Sequence, residues 1–170
     1  FYRGETMNNN LLFRLFLLLK HSIRIAFVPW PKYTFNDLAT AQDAIDGPRF
    51  EAMSTRLKRS KSGQRLLKER PLLSFDAMDW KYLSELPIHT FGYCVWHHFV
   101  SNDIFEEPDL GVQRIKWNNE GEYIKTRFRQ THDFRHVLLG LGVSGKEEVM
   151  VNIFQARQFP LILSSIIALG

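Results

Sequence analysis

A chain of 170 residues falls in the usual one-domain range and can bury a proper core. Hydrophobic residues at 45% and aromatic residues at 14%, including 14 Phe, exclude a disordered chain. The 22 basic and 18 acidic side chains leave a charge of +4, which suits an anionic membrane surface or nucleic acid, and the single cysteine, Cys94, excludes an internal disulfide and a cysteine-rich zinc cluster.

The chain opens at Phe1 rather than Met, so the native start and any targeting peptide are expected to precede it. Residues 11–28 are predicted to form an amphipathic helix, with Arg14, Lys20, His21 and Arg24 gathered on about one third of the helical wheel. Its fixed cations argue against a membrane-spanning helix. An interfacial helix with a basic edge fits, and so does an amphipathic helix that closes the core. Thr34 through Asp37 reads as the next helix start, with Thr34 as cap and an end near Gly47-Pro48. A second helix is expected from Arg49 towards Ser62-Gly63, and a short third before Pro71. Another covers Met78 to Glu85 and stops at Leu86-Pro87. Thr90 opens an aromatic-rich helix through Val100, and Ser101–Gly111 reads as an exposed acidic loop.

Arg56 to Arg70 holds seven Lys or Arg against Glu69 alone. With no nucleic-acid recognition motif beside it, the stretch reads as a solvated face, with lipid-headgroup contact next. His97 and His98 are adjacent, hence splayed apart on a helix and poor at sharing one ion, and read as structural. Neither a phosphate-binding glycine loop nor a hydroxyl-nucleophile motif is present, which argues against nucleotide and serine hydrolases. No internal repeat is visible.

The most informative stretch is 132–148. His132 and His136 stand at i and i+4, so both imidazoles share one helix face and can hold one cation. Asp133 lies about 100° around the helix from His132, near enough to reach the ion directly or through water. Gly140-Leu141-Gly142-Val143-Ser144-Gly145 stops the helix and turns the chain. Ser144 as N-cap and Glu147 at N3 form a capping box, which leaves Glu148 free to face the histidines from the next helix. Two nitrogen and up to two oxygen ligands suit zinc, iron or manganese, whereas magnesium seldom chooses imidazole. The expected architecture is all-α: a single helical domain over 1–170, with the metal site between an antiparallel helix pair.

The segment Tyr123 to Leu138, with His132, Asp133, His136 and Glu148 in the order His-Asp, two residues, His, eleven residues, Glu, resembles the signature of a ubiquinone (coenzyme Q) biosynthesis family, the one numbered four in the coenzyme Q series. Asp46-Gly47-Pro48-Arg49-Phe50 leading through Gly63 to Glu69-Arg70-Pro71 is similar to the family as well, and so is Leu86-Pro87 followed by Thr90-Phe91-Gly92. The resemblance runs from about residue 36 to the end of the chain. It implies an all-helical peripheral membrane protein that binds a polyprenyl lipid or quinone precursor and holds a divalent metal, zinc favoured, at His132, Asp133, His136 and Glu148. It implies a location on the matrix side of the mitochondrial inner membrane in a eukaryote, or on the cytoplasmic membrane face in a bacterium. Family members usually continue some tens of residues past Gly170.

The implied chemistry acts at C1 of the polyprenyl-benzoate ring, an oxidative decarboxylation that replaces the carboxylate with a hydroxyl. His132 and Asp133 are then the catalytic candidates, Asp133 as fourth ligand or as the base that orients a water. Lys125 and Arg129, placed on the same helix face before the histidines, are the candidates for the substrate carboxylate, Arg129 the better because its fork binds bidentately. The apolar run Phe159–Leu169 would shelter an isoprenoid tail or form a core helix kinked at Pro160. The alternative function is a non-catalytic scaffold that organises the other quinone-biosynthesis enzymes around a structural metal, with homo-oligomers in either case. A weaker third reading, prompted by the His-Asp pair alone, is a metal phosphohydrolase.

Overall fold

The computed structural model describes residues 10–27, 34–73, 75–104 and 118–169. Among these residues every regular element is helical and no strand occurs, as expected for an all-α chain. They fall into two compact units, one of Phe1–Leu67 with Pro108–Ile124 and one of Lys68–Glu107 with Lys125–Gly170.

The first unit is built on α1 (Leu11–Phe27) and α2 (Thr34–Leu57). The predicted helix at 11–28 is present, but its polarity is reversed. Arg14 Nε donates to the Ala44 carbonyl at 2.8 Å. His21 is buried and hydrogen-bonds through Nδ1 to Asp37 Oδ1, while Arg24 Nε lies 3.1 Å from Asp37 Oδ2. Leu17 and Ala44 form the apolar seam beneath these contacts, with Phe13 and Leu18 at its edge. On the opposite face Leu12 is 73% and Phe16 60% exposed, and Leu11, Leu15, Leu19 and Ile23 are exposed beside them. Three of the four basic side chains of the expected edge therefore contact α2, Arg24 while still exposed, and Lys20 is exposed beside them. The buried Asp37 carboxylate is tolerated there because one oxygen meets the His21 ring and the other the Arg24 guanidinium. No helix among the described residues is long and apolar enough to cross a membrane.

The expected helix end at Gly47-Pro48 is a correction: α2 runs through Pro48 to Leu57. Proline lacks the N–H that would bond the carbonyl four residues back, and that loss ordinarily breaks or kinks a helix. The carbonyl in question belongs to Ala44, the one that Arg14 Nε satisfies from α1. A donor from a neighbouring helix thus replaces the donor the ring removes, and Phe50, two residues on, is fully buried. The expected break at Ser62-Gly63 also moves. The turn lies at 58–60 and Gly63 sits inside α3 (Lys61–Glu69), where an added Cβ would stand 2.1 Å from the Leu57 carbonyl oxygen. The basic stretch is largely solvated as expected, and Lys58 Nζ pairs with Glu120 Oε2 at 2.7 Å. The side chain of Thr34, the expected cap, lies outside the described residues.

In the second unit a 3-10 turn at Phe75–Ala77 leads to α4 (Trp80–Glu85), capped by Asp79 Oδ1 accepting from the Tyr82 N–H at 2.9 Å. α5 (Phe91–Ser101) starts at Thr90, as predicted, with Thr90 Oγ1 accepting from the Tyr93 N–H. Phe99, fully buried on α5, meets Phe75, Trp80 and Phe134 with ring centroids 5.4–5.7 Å apart. Most of the expected acidic loop at Ser101–Gly111 lies outside the described residues. α6 (Asn119–Gln130) ends with Gln130 bonding both backbone groups of Leu73, which pins the segment after Pro71.

A second correction follows α6. The signature segment is not one helix, because Thr131 separates Gln130 from α7 (His132–Leu139). In a continuous helix the Phe128 carbonyl would accept from the His132 N–H. Here it takes Arg135 NH1 at 3.0 Å and the Thr131 hydroxyl at 3.2 Å, and the same hydroxyl bonds the Arg127 carbonyl at 2.8 Å. Side-chain donors compete with the helical ladder and end it. Arg135 is held over the rings of Phe128 and Phe159, and burial pulls its pKa down to about 10, so it stays charged at neutral pH. α8 (Gly145–Gln158) and α9 (Ile162–Ile167) are separate helices rather than one kinked helix, since Phe159, preceding Pro160, is extended at φ −121° and ψ 138°.

Arg14→Met should cost about 1–3 kcal/mol of stability by leaving the Ala44 carbonyl bare. In a Pro48→Ala background, where an N–H is restored, the same change should cost clearly less. A urea-unfolding double-mutant cycle measures the difference, and additive effects would contradict the compensation.

Candidate metal centre

The turn that carries the site is built as the sequence suggests. Gly140 takes the left-handed conformation at φ +66°, and the Leu141 N–H returns to the His136 carbonyl at 2.9 Å. Ser144 and Glu147 form the capping box of α8, with Glu147 Oε2 accepting the Ser144 N–H at 3.0 Å and Oε1 the Gly142 N–H at 2.8 Å. These bonds, with the Ser144 side chain, hold the Glu147 carboxyl below its ordinary pKa. Glu147 is thereby committed to the turn, and Glu148 faces the other way.

Glu148 meets both histidines. Its Oε2 lies 3.2 Å from His132 Nε2, its Oε1 3.3 Å from His136 Nε2, and the two Nε2 atoms are 3.1 Å apart. The three ligand atoms lie within 4.8 Å of one another, a group that could hold a metal ion. Asp133 offers no ligand atom to it; its negative charge acts through space on His136 and His98. Lys125 is fully buried on α6 and Arg129 half-buried there, with Thr131 between that helix and the one that carries the histidines.

Two further groups orient the imidazoles. His136, fully buried, donates Nδ1–H to the Gly142 carbonyl at 2.6 Å, which leaves its Nε2 lone pair for a cation. The side-chain amide of Gln155, fully buried on α8, donates to His132 Nδ1 at 2.9 Å. Loading a cation on His132 Nε2 moves the ring proton to Nδ1, so the amide must then turn its oxygen to that nitrogen. Glu148 near the start of α8 reaches both histidines, whereas Gln155, two turns later, reaches His132 at the start of α7, so α7 and α8 run in opposite directions, as expected. Gln155 escaped the sequence reading, although its i+7 spacing from Glu148 marks the same face of α8.

His98, read as structural, lies next to this group. Its ring stacks on His136 with centroids 5.7 Å apart and planes at 26°, and its Nε2 is buried without a hydrogen-bond partner. No spacing rule links it to the motif.

Electrostatics favour cation binding. Burial pushes the Glu148 carboxyl up, but the hydrogen bonds from His132 and His136 and their charges outweigh it and hold the pKa at about 2. Burial opposes charge on His136 as well, yet its contact with Glu148 and its bond to Gly142 leave the pKa above the ordinary 6.5. Two imidazole nitrogens and one carboxylate oxygen form the donor set of zinc sites that keep a fourth position open, and the fixed His136 tautomer fits it. Burial and the neighbouring His136 lower the pKa of His98.

A cation must displace the proton from His136, so zinc affinity should rise with pH through 6.5 and above it, then level off once the ring is neutral. Glu148, ionised throughout, adds no slope. Gln155→Leu should weaken zinc about 10–100-fold at every pH. Chelator competition across pH measures both, and a pH-independent affinity would contradict the proton competition.

The family described as "Coenzyme Q (ubiquinone) biosynthesis protein Coq4" matches residues 3–169. "Ubiquinone biosynthesis protein coq-4, mitochondrial" of Caenorhabditis elegans is 33% identical over 125 residues, covering 72% of this chain and 53% of that protein. "Ubiquinone biosynthesis protein COQ4 homolog, mitochondrial" of Bos taurus is 31% identical over 136 residues, 79% of this chain and 51% of that protein. The homologue of the same name from Xenopus tropicalis is 26% identical over 126 residues, 74% and 45% respectively. The chain spans about half the length of these curated relatives. The match runs nearly end to end along the chain, which therefore belongs to the coenzyme Q (ubiquinone) biosynthesis protein Coq4 family.

Proposed function

We propose that this chain is a membrane-surface metalloprotein of ubiquinone biosynthesis that exchanges the C1 carboxylate of a polyprenyl-benzoate ring for a hydroxyl. The single observation that carries the metal part is the convergence of His132, His136 and Glu148 on one point. Family membership and the relatives' names support the pathway and a mitochondrial location.

A divalent cation bound there, zinc by preference, supplies Lewis-acid polarisation of the substrate carboxylate. The exchange breaks the C1–carboxyl bond, releases carbon dioxide, takes the hydroxyl oxygen from water and passes two electrons and two protons to an external acceptor such as dioxygen or a quinone. His132, His136 and Glu148 would hold the cation, Gly142 and Gln155 orient the rings, and Asp133 contributes negative charge that favours a proton on the neighbouring imidazole. Of the two candidate cations, Arg129 keeps partial exposure and is the one proposed to meet the substrate carboxylate. His136→Ala and Glu148→Ala should lose bound metal, measured by elemental analysis, and should lose conversion of a prenylated hydroxybenzoate by at least about 100-fold. Full metal loss with unchanged turnover would remove the catalytic reading. Wild-type metal binding without any turnover, joined to loss of complex assembly in the variants, would favour the scaffold.

The outward apolar face of α1 supports the membrane part, with polyprenyl substrate and other pathway enzymes gathered at the same surface. Leu12, Phe16, Leu19 and Ile23 are exposed along one side, and α1 contains no acidic residue to repel an anionic lipid. Because Arg14, His21 and Arg24 contact α2, attachment rests on apolar insertion rather than on headgroup pairing. Each inserted Leu or Phe contributes about 1.5–3 kcal/mol. Vesicle co-sedimentation should therefore change little between low and high salt, and Phe16→Glu with Leu19→Glu should reduce it at least about tenfold. Release of the wild type by salt would contradict insertion.

A further inference from the structure

We propose that His98 Nε2 is the hydrogen-bonding group that fixes an aromatic carboxylate beside the cation, an inference that rests on the metal reading of the centre. α5 presses the His98 ring against His136, with centroids 5.7 Å apart and planes 26° from parallel. The residue is 8% exposed, and Nε2 is buried with no hydrogen-bond partner. Buried polar atoms are nearly always bonded, so one left over at the edge of a ligand cluster points to a partner that is not protein. Its neighbour in sequence behaves differently: His97 is exposed and meets the Ser101 hydroxyl at 3.5 Å.

His98 is not a fourth cation ligand. The ligand atoms of His132, His136 and Glu148 form a mutual group within 4.8 Å, and His98 lies outside it. It stands one ring away, stacked on a residue that would hold the cation. A neutral imidazole offers an N–H to a carboxylate oxygen. The adjoining side chains are aromatic: Phe99 stands edge-on to His98 at 5.9 Å, and Phe134 packs on Phe99 at 5.7 Å. Phe99 is fully buried among these rings, so the aromatic nature of the carboxylate is taken from the benzoate substrate proposed for this centre. His98 is thus a positioning residue for the carboxylate.

Cobalt(II)-loaded wild type, His98→Phe and His98→Gln are compared by titrating benzoate and following the visible cobalt band. All three should bind equal cobalt. The benzoate dissociation constant should rise about tenfold or more in His98→Phe and recover most of the loss in His98→Gln. Equal benzoate affinity at full cobalt loading overturns the inference while leaving the metal centre standing. Loss of cobalt in both variants overturns it too, by placing His98 in the metal shell. Failure of the wild type to bind cobalt overturns the metal reading itself and this one with it. Should His98→Phe not fold, the zinc-loaded wild type with 15N-labelled histidine gives a second readout: benzoate should shift the His98 Nε2 resonance, and an unmoved resonance refutes the contact.

Discussion

The Glu148 carboxylate, lodged between two imidazole nitrogens, is the contact around which the second unit is organised. It holds a negative charge from α8 against His132 and His136 on α7, 3.2–3.3 Å from each. Without it, two close-set ring nitrogens would face each other with no compensating charge. Several neighbouring features serve this contact. Gly140 turns the chain back, and the capping box engages Glu147 so that its neighbour is free. The Gly142 carbonyl and the Gln155 amide hold the ring nitrogens that face away from the carboxylate. One short turn therefore sets helix direction, imidazole tautomer and ligand spacing together.

Much of this was legible in the residue order because it is local. The i, i+4 histidines, the glycine stop and the Ser144/Glu147 box each act within a few residues, so spacing alone specifies them. The same holds for Thr90, a cap that needs only the helix following it. What escaped depends on groups distant in sequence. Pro48 marks a helix end by every local rule, yet α2 continues because Arg14, thirty-four residues earlier, bonds the Ala44 carbonyl. Thr131 breaks the signature helix because Arg135 takes the Phe128 carbonyl from the next turn. That break puts Lys125 and Arg129 on a different helix from the histidines. His98 joins the site through stacking between α5 and α7, which no periodicity encodes. Asp133, the most tempting carboxylate in the motif, offers no ligand atom, and its part is electrostatic.

α1 illustrates the difference between amphipathicity and orientation. Its wheel separates cations from apolar residues, which identifies two faces without saying which is turned inward. The usual answer places the apolar face in the core. Here α2 offers Asp37 and a carbonyl stripped of its donor, and those acceptors draw the cationic face in. A composition that suits headgroup pairing therefore becomes one that suits insertion, from the same residues.

The Arg14 bond also fixes how α1 can respond to its surroundings. Many interfacial helices roll about their long axis and hide their greasy side when no lipid is at hand. Rolling α1 would strip the Ala44 oxygen of its donor and separate His21 and Arg24 from Asp37 in one movement. Its oily side is consequently a permanent display, set by the backbone chemistry of a single imino acid on the adjoining helix rather than by the arrival of a membrane.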